Sequence, residues 1–427
     1  MGTASRRSAF ARCNPFGLRG FVKERVREKC WARDTAVSTK LGPLSLANDM
    51  SGLRELVLLL IGPQTLKSVE FFVALRLGRH TLEQMMKKRR LLLWIMGLLS
   101  ALVLSIHSQD KSPLKLIQKI PMPNVKGRID HMDVDVRGKR LFVAGLENGT
   151  LEVVDLKAGK WARSVPGLQA PQGVAYVPAL NKVFVANEND DTLKVFRGDT
   201  LDLLNTIHLD LGANRVTYDP HGKKLYVGYG GASAKKDYGE VGVIDAEHDK
   251  HIGDIQVGVR PAEILLDKSG QTLFVFDSVA SKIEVIDAGK SRILSTWPVS
   301  GQRPGDGAFD EATHRLLIGT RTPPAMIVMD STSGKEVANL PTAEGMDGVY
   351  FDASHKRVYV SGGRGFDVGS VFVYQQHDAD HYTQIGRLPT RPGAGTSFWS
   401  PELNRYYVAA PANDKEEAAI LVFEPQP

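Results

Sequence analysis

One repeat governs what this chain can become. LFVAGLENGTLEVVDLKAGK begins at Leu141 and VFVANENDDTLKVFRGDT at Val183. Versions return as LYVGYG at Leu225, LFVFDSVASKIEVIDAGK at Leu273, LLIGTR at Leu316, VYVSGGRGFDVGSVFVY at Val358 and YYVAAPANDKEEAAILVF at Tyr406. Successive starts differ by 42, 42, 48, 43, 42 and 48 residues. Seven copies at such a period are the mark of stacked four-stranded units, each needing its neighbour to bury its faces. The predicted fold class is all-β, a seven-bladed β-propeller.

Each repeat has the same order. A predicted inner strand comes first: HMDVD, GVAYV, RVTYD, EILLD, DGAFD, GVYFD or TSFWS. A Gly- or Asn-bearing turn follows, then a second strand rich in Val, Leu, Tyr and Phe with little polar alternation, as expected for burial on both faces. A third strand ends in Asp155, Asp245, Asp287 or Asp330 before the next turn, where a carboxylate can accept backbone N–H groups. The last repeat lacks a fourth strand, and KLIQKI at Lys115–Ile120 precedes the first. The expectation is a Velcro closure in which this N-terminal strand completes the last blade and removes a sheet edge.

Charge is segregated. Residues 1–109 carry 18 Lys and Arg against 7 Asp and Glu, whereas residues 110–427 carry 36 against 41. A slightly acidic body has no bulk drive towards nucleic acid or anionic lipid, so nucleic-acid partners are not expected. Cys13 and Cys30 both precede the repeats, which excludes disulfides, thiolate metal sites and a Cys nucleophile from the repeat region. Residues 1–85 read as an unstructured upstream segment outside the working protein, the rival reading being a basic cytoplasmic tail with a signal anchor that would still place the propeller outside the cytoplasm. Met85 or Met86, the following Lys87-Lys88-Arg89-Arg90 and the apolar run Leu91–Ile106 read as a secretory signal peptide over 86–108, cleaved after Ser105 or Ser108. Residues 109–427 are then the propeller, periplasmic or secreted, touching a membrane only through its export signal.

The pattern [VLY][FYL][VI][AGS]…[VI]D…GK resembles the YVTN-type propellers, specifically the YncE-like proteins. The likeness is carried by GRIDHMDVD at Gly127, APQGVAYVPALNKVFVAN at Ala170, YDPHGKKLYVGYGG at Tyr218, DADHYTQIGRLPT at Asp378 and PELNRYYVAAP at Pro401. It covers roughly Lys111 to the C-terminus. It implies an exported propeller and assigns no activity.

Function in such a ring is expected where lead-in loops converge on the central channel. The repeats align on the last inner-strand residue: Asp135, Val177, Asp219, Asp267, Asp310, Asp352 and Ser400. Positions four, five and seven upstream differ from blade to blade, unlike the core. They nominate Arg128, Asp130, His131, Gln172, Asn214, Arg215, Arg260, Glu263, Arg303, Asp306, Asp347 and Thr396 as channel residues. Loops joining second to third strands add Glu147, Asn148, Asn187, Glu188, Tyr229, Asp277, Arg321 and Arg364 as rim candidates. Guanidinium groups in such a set suit a carboxylate or phosphate.

Catalytic motifs are absent: there is no phosphate loop and no GxSxG elbow. Asp130 and His131 are a conceivable general-base pair, although neighbours on a strand point to opposite faces. His377-Asp378-Ala379-Asp380-His381 reads as a solvated hairpin turn and not a metal site. The leading expectation is an exported, monomeric binding or interaction module for a small anionic ligand or a protein partner, without cofactor or catalysis. The alternative is a lactonase-like hydrolase using Ca²⁺ or Mg²⁺ on oxygen ligands from Glu263, Asp306, Asn148, Asn187 and Asn214.

Overall fold

A computed structural model describes residues 112–366 and 368–427, all within one compact unit, Ser108–Pro427. The expected signal peptide, its cleavage sites and the upstream segment lie outside the described residues. Among the described residues, twenty-eight strands form seven four-stranded antiparallel sheets, a seven-bladed β-propeller. Blades I to VI span residues 132–166, 171–208, 216–257, 261–298, 306–341 and 346–389. Blade VII takes its three inner strands from residues 397–425.

The fourth strand of blade VII is Leu114–Pro121, antiparallel to Ala419–Pro425 from Leu114↔Pro425 to Pro121↔Ala419. Gln426 N donates to Pro113 O at 2.9 Å. Arg357 of blade VI donates to the Gln426 carbonyl beside it. The inner strand of blade VII, Ser397–Ser400, packs beside that of blade I, Met132–Asp135, so the ring is closed.

Packing follows the hydropathy pattern. The second strands hold Phe142, Val143, Phe184, Val185, Leu225, Val227, Val275, Leu317, Val360 and Val408 at full burial. They face outward to both neighbouring blades, and seven apolar clusters fill the seven interfaces. Burying such side chains contributes about 1.5–3 kcal/mol apiece before chain entropy is charged. The turn aspartates do what their position demands. Ala158 N donates to Asp155 at 2.8 Å, Glu247 N to Asp245 at 3.0 Å, Lys290 N to Asp287 at 2.9 Å and Ser333 N to Asp330 at 2.8 Å.

Inner strands lie close enough that side chains must sometimes yield. A Cβ on Gly173 of blade II would stand 2.1 Å from the Asn214 carbonyl leading into blade III. Blade II therefore sends no side chain into the channel at the height where blades I, III, IV and V send His131, Arg215, Glu263 and Asp306; blade VI has Gly348 at the same position.

Candidate functional site: an arginine-rich channel mouth

The inner strands frame an axial channel with two cavities that share His131. The first, about 480 Å³, is lined by the lead-in residues. Arg128, Asp130, His131, Gln172, Asn214, Arg260, Arg303, Asp306 and Asp347 meet there, joined from the rim set by Arg321 and Arg364. Its lining carries five guanidiniums against three carboxylates. The second cavity, about 740 Å³, is lined by the strand bodies and the turns that follow them.

Asp347, leading blade VI, is the hub of the mouth. Arg321 donates to its Oδ1, Arg364 Nη1 lies 3.3 Å from the same oxygen, and Arg128 Nη2 lies 3.7 Å from Oδ2. Burial alone would raise this acid. The Arg321, Arg364 and Arg128 guanidiniums overcome it and hold the pKa at about 2. Arg128 also reaches Asp130 at 2.5 Å. Thr396 is buried behind the hub, its Oγ1 donating to Ile129 O at 3.2 Å and standing 3.5 Å from Asp347 Oδ2.

A second charge layer lies between the cavities. Arg215 Nη2 is 2.6 Å from Glu263 Oε2 and 3.7 Å from Asp306 Oδ1. Its Nη1 donates to His131 Nδ1 at 2.8 Å. Burial, and then the Arg215 charge, hold His131 below its ordinary 6.5, so the ring is neutral at physiological pH. Asp306 shows the opposite balance. Burial outweighs Arg215, Glu263 adds repulsion, and the pKa rises to about 7. Beside it, a Cβ on Gly305 would meet the Arg321 guanidinium carbon at 3.0 Å, so the glycine leaves that arginine room to lie across the strand.

Other candidates are placed differently. Asp130 and His131 do approach each other, Nε2 to Oδ1 at 3.5 Å. The inner strand begins only at Met132, so strand alternation does not separate them. Gln172 donates to Glu188, which also faces Arg260 at 3.4 Å. Tyr229 is not on the rim: it is 3% exposed in the core, its hydroxyl bonded to Asp254. Asp277 accepts the N–H groups of Val259, Arg260, Val279 and Ala280 and so shapes two loops. Asn187 is wholly buried against Thr192, and Asn148 binds Lys126 N and Thr150. Glu147 accepts from Arg128 N at 3.1 Å. The five oxygen donors suggested for a divalent cation therefore do not gather as a set: two serve local hydrogen bonds, and Glu263 faces Arg215.

The long loop after Gly228 contains a short 3₁₀ turn, Gly231–Ala234, and lines neither cavity. The loop after Ser361 supplies Arg364. His377–His381 is an exposed hairpin turn in which Asp378 accepts from Asp380 N at 2.9 Å and His381 N at 3.0 Å.

Sequence alignment missed the second cavity. Two positions before the inner-strand end, in six of the seven blades, stand Asp133, Ala175, Thr217, Leu265, Tyr350 and Phe398, all lining it. They share a face with His131, Arg215 and Glu263 because side chains alternate along a strand. That period-two relation was the available signal. Ser278 and Val279 of the mouth, on a loop of irregular backbone, carried none.

No protein-family model matches the chain, and no curated protein does. Solved structures share its architecture. A chain of Kuenenia stuttgartiensis hydrazine synthase superposes with a TM-score of 0.56 at 18% identity, covering 71% of this chain and 94% of that one. A chain from a crystal structure of the mitotic checkpoint complex gives 0.60 at 12% identity, covering 75% and 94%. At such identities the likeness is one of fold, and the chain is similar to both as a seven-bladed β-propeller.

Proposed function

We propose that this protein is an exported YncE-like propeller whose channel mouth binds a small organic or phosphate anion. The observation that supports the reading most is the concentration of Arg128, Arg260, Arg303, Arg321 and Arg364 around one cavity. Asp347 orders three of these guanidiniums before any ligand arrives. Preorganised forks lose less entropy on binding an oxyanion than mobile ones. Arg303, among the described residues, has no carboxylate partner, and Arg260 has only Glu188 at 3.4 Å. The basic run and apolar stretch at residues 87–106 support export, and the repeat motif supports the family resemblance.

Calorimetric titration of the purified protein with succinate and with inorganic phosphate tests the anion reading. Saturable binding of either at one site is expected, weakened roughly tenfold or more by Arg364→Ala, about 1.4 kcal/mol. Arg364 is the informative choice because Arg321 still holds Asp347 when it is gone. Absence of binding by both anions at low ionic strength would overturn the proposal.

A further inference from the structure

Three buried polar atoms of residues in the mouth have no hydrogen-bond partner among the described residues: Arg128 Nε, Asn214 Oδ1 and Asp306 Oδ1. All three residues line the same cavity. Buried polar groups are nearly always satisfied in folded proteins, so three unsatisfied atoms on residues that line one cavity point to something that occupies it. They also specify its chemistry. Arg128 Nε–H needs an acceptor, and it stands with Arg321 and Arg364 around Asp347. Asn214 Oδ1 is an acceptor and needs a donor. Asp306 Oδ1 accepts when ionised and donates when it carries the proton.

A bare inorganic or aliphatic anion would serve the arginines and leave Asn214 Oδ1 unmatched. An ammonium group would match it, but Arg215 Nη2 already stands 3.7 Å from Asp306 Oδ1 and 2.6 Å from Glu263, and a second cation there meets repulsion. A hydroxyl is neutral and both donates and accepts, which suits both oxygens. We propose that the ligand of this mouth is a hydroxylated organic acid, its carboxylate on Arg128, Arg321 and Arg364 and its hydroxyl on Asn214 and Asp306. This rests on the anion reading above and names its ligand class.

The surroundings of Asp306 agree. It is faced by Arg215, Glu263, His131 and Asp347, and burial before all else raises its pKa to about 7. Near neutrality it is therefore poised to offer either a proton or a lone pair to a hydroxyl. The cavity, about 480 Å³, lies within the ordinary range for small-molecule sites.

The test is a four-carbon series that differs at one substituent: succinate, malate in both enantiomers, and aspartate, each titrated calorimetrically into the intact protein. One malate enantiomer is expected to bind about tenfold tighter than succinate. Aspartate should bind more weakly than that enantiomer. Asn214→Ala and Asp306→Ala should each collapse the malate-to-succinate ratio towards one, whatever they do to overall affinity. Malate no tighter than succinate, aspartate as the tightest ligand, or a ratio that survives both substitutions would overturn the inference and leave the anion reading standing. Failure of all three acids to bind would overturn the inference, and the anion reading with it if inorganic phosphate also failed to bind.

Discussion

Arg215 Nη2 sits 2.6 Å from Glu263 Oε2, linking the lead-in of blade III to the inner strand of the neighbouring blade IV. Glu263 is 0% exposed, and its carboxylate is met by that guanidinium and by the Ile264 N–H that its Oε1 accepts at 2.8 Å. Breaking a buried pair from one side strands a charge and costs about 3–5 kcal/mol. Arg215→Met should therefore destabilise the protein by that order in urea titration. Arg215→Met with Glu263→Leu should recover most of the loss, because hydrophobic replacement of the whole pair removes both desolvation penalties. A double variant no better than the single one would contradict this account.

Asp306 and Asp347 should give stability opposite pH dependences. Asp306 has a folded pKa of about 7 against an ordinary 3.8. The unfolded chain loses this proton first, so the group weakens the fold progressively as pH rises from about 4 to 7. Asp306→Asn should raise the melting temperature at about pH 8 and change it little near pH 4, read by calorimetry. Asp347, held at about 2, adds stability that is present above about 4 and lost as pH falls towards 2. Asp347→Asn should remove that acid-limb dependence and be destabilising at neutral pH. It leaves Arg128, Arg321 and Arg364 facing one another.

Anion binding should share the same titration. Ionisation of Asp306 adds a negative charge to the mouth, so succinate affinity should fall as pH rises through about 7. His131 is already neutral there, its pKa held below 6.5 by burial and Arg215. Asp306→Asn should flatten the profile between about pH 6.5 and 8.5. A slope unchanged in that variant would assign the titration to another group.

Tyr229 separates a core role from a rim role. Tyr229→Phe keeps the ring in its cluster and deletes the hydrogen bond to Asp254. The expected loss is about 1 kcal/mol in denaturant titration, with anion affinity unchanged. A change in affinity without a change in stability would return Tyr229 to the mouth.

Ile120, 0% exposed on the strand Leu114–Pro121, packs with Tyr407, Ile420 and Val422 of blade VII and Met132 of blade I. Ile120→Ala should cost about 2–5 kcal/mol, as for other large-to-small core changes. A value near zero would mean that this strand contributes little to holding the ring.

The sequence announced the ring because blade formation is a repeated local problem: Leu141, Val183, Leu225 and their equivalents each solve the same packing. The mouth was legible for a related reason. Residues such as Arg128, Arg215 and Asp347 occupy equivalent places yet differ, and register along the strand fixed where they would converge. Partner choice was not legible. That Arg215 turns to Glu263 while Arg321 turns to Asp347 depends on rotamers and on the room beside Gly305, which the motif does not report. Tyr229 and Asp277 were misplaced because second-to-third-strand loops begin with residues that still belong to the sheet. Tyr350 and Phe398 were overlooked although the strand period placed them beneath the charged layer.

The hydrogen-bonded meeting of head and tail in blade VII also bears on how the ring is made. During synthesis the strand Leu114–Pro121 emerges early and cannot pair until Ala419–Pro425 has left the ribosome. Six blades can assemble in order while the seventh waits, its core shared with blade I still open to water. Until Ala419–Pro425 is available, Leu114–Pro121 has no strand in blade VII to pair with. Loss of either strand, Leu114–Pro121 or Ala419–Pro425, leaves blade VII without that pairing.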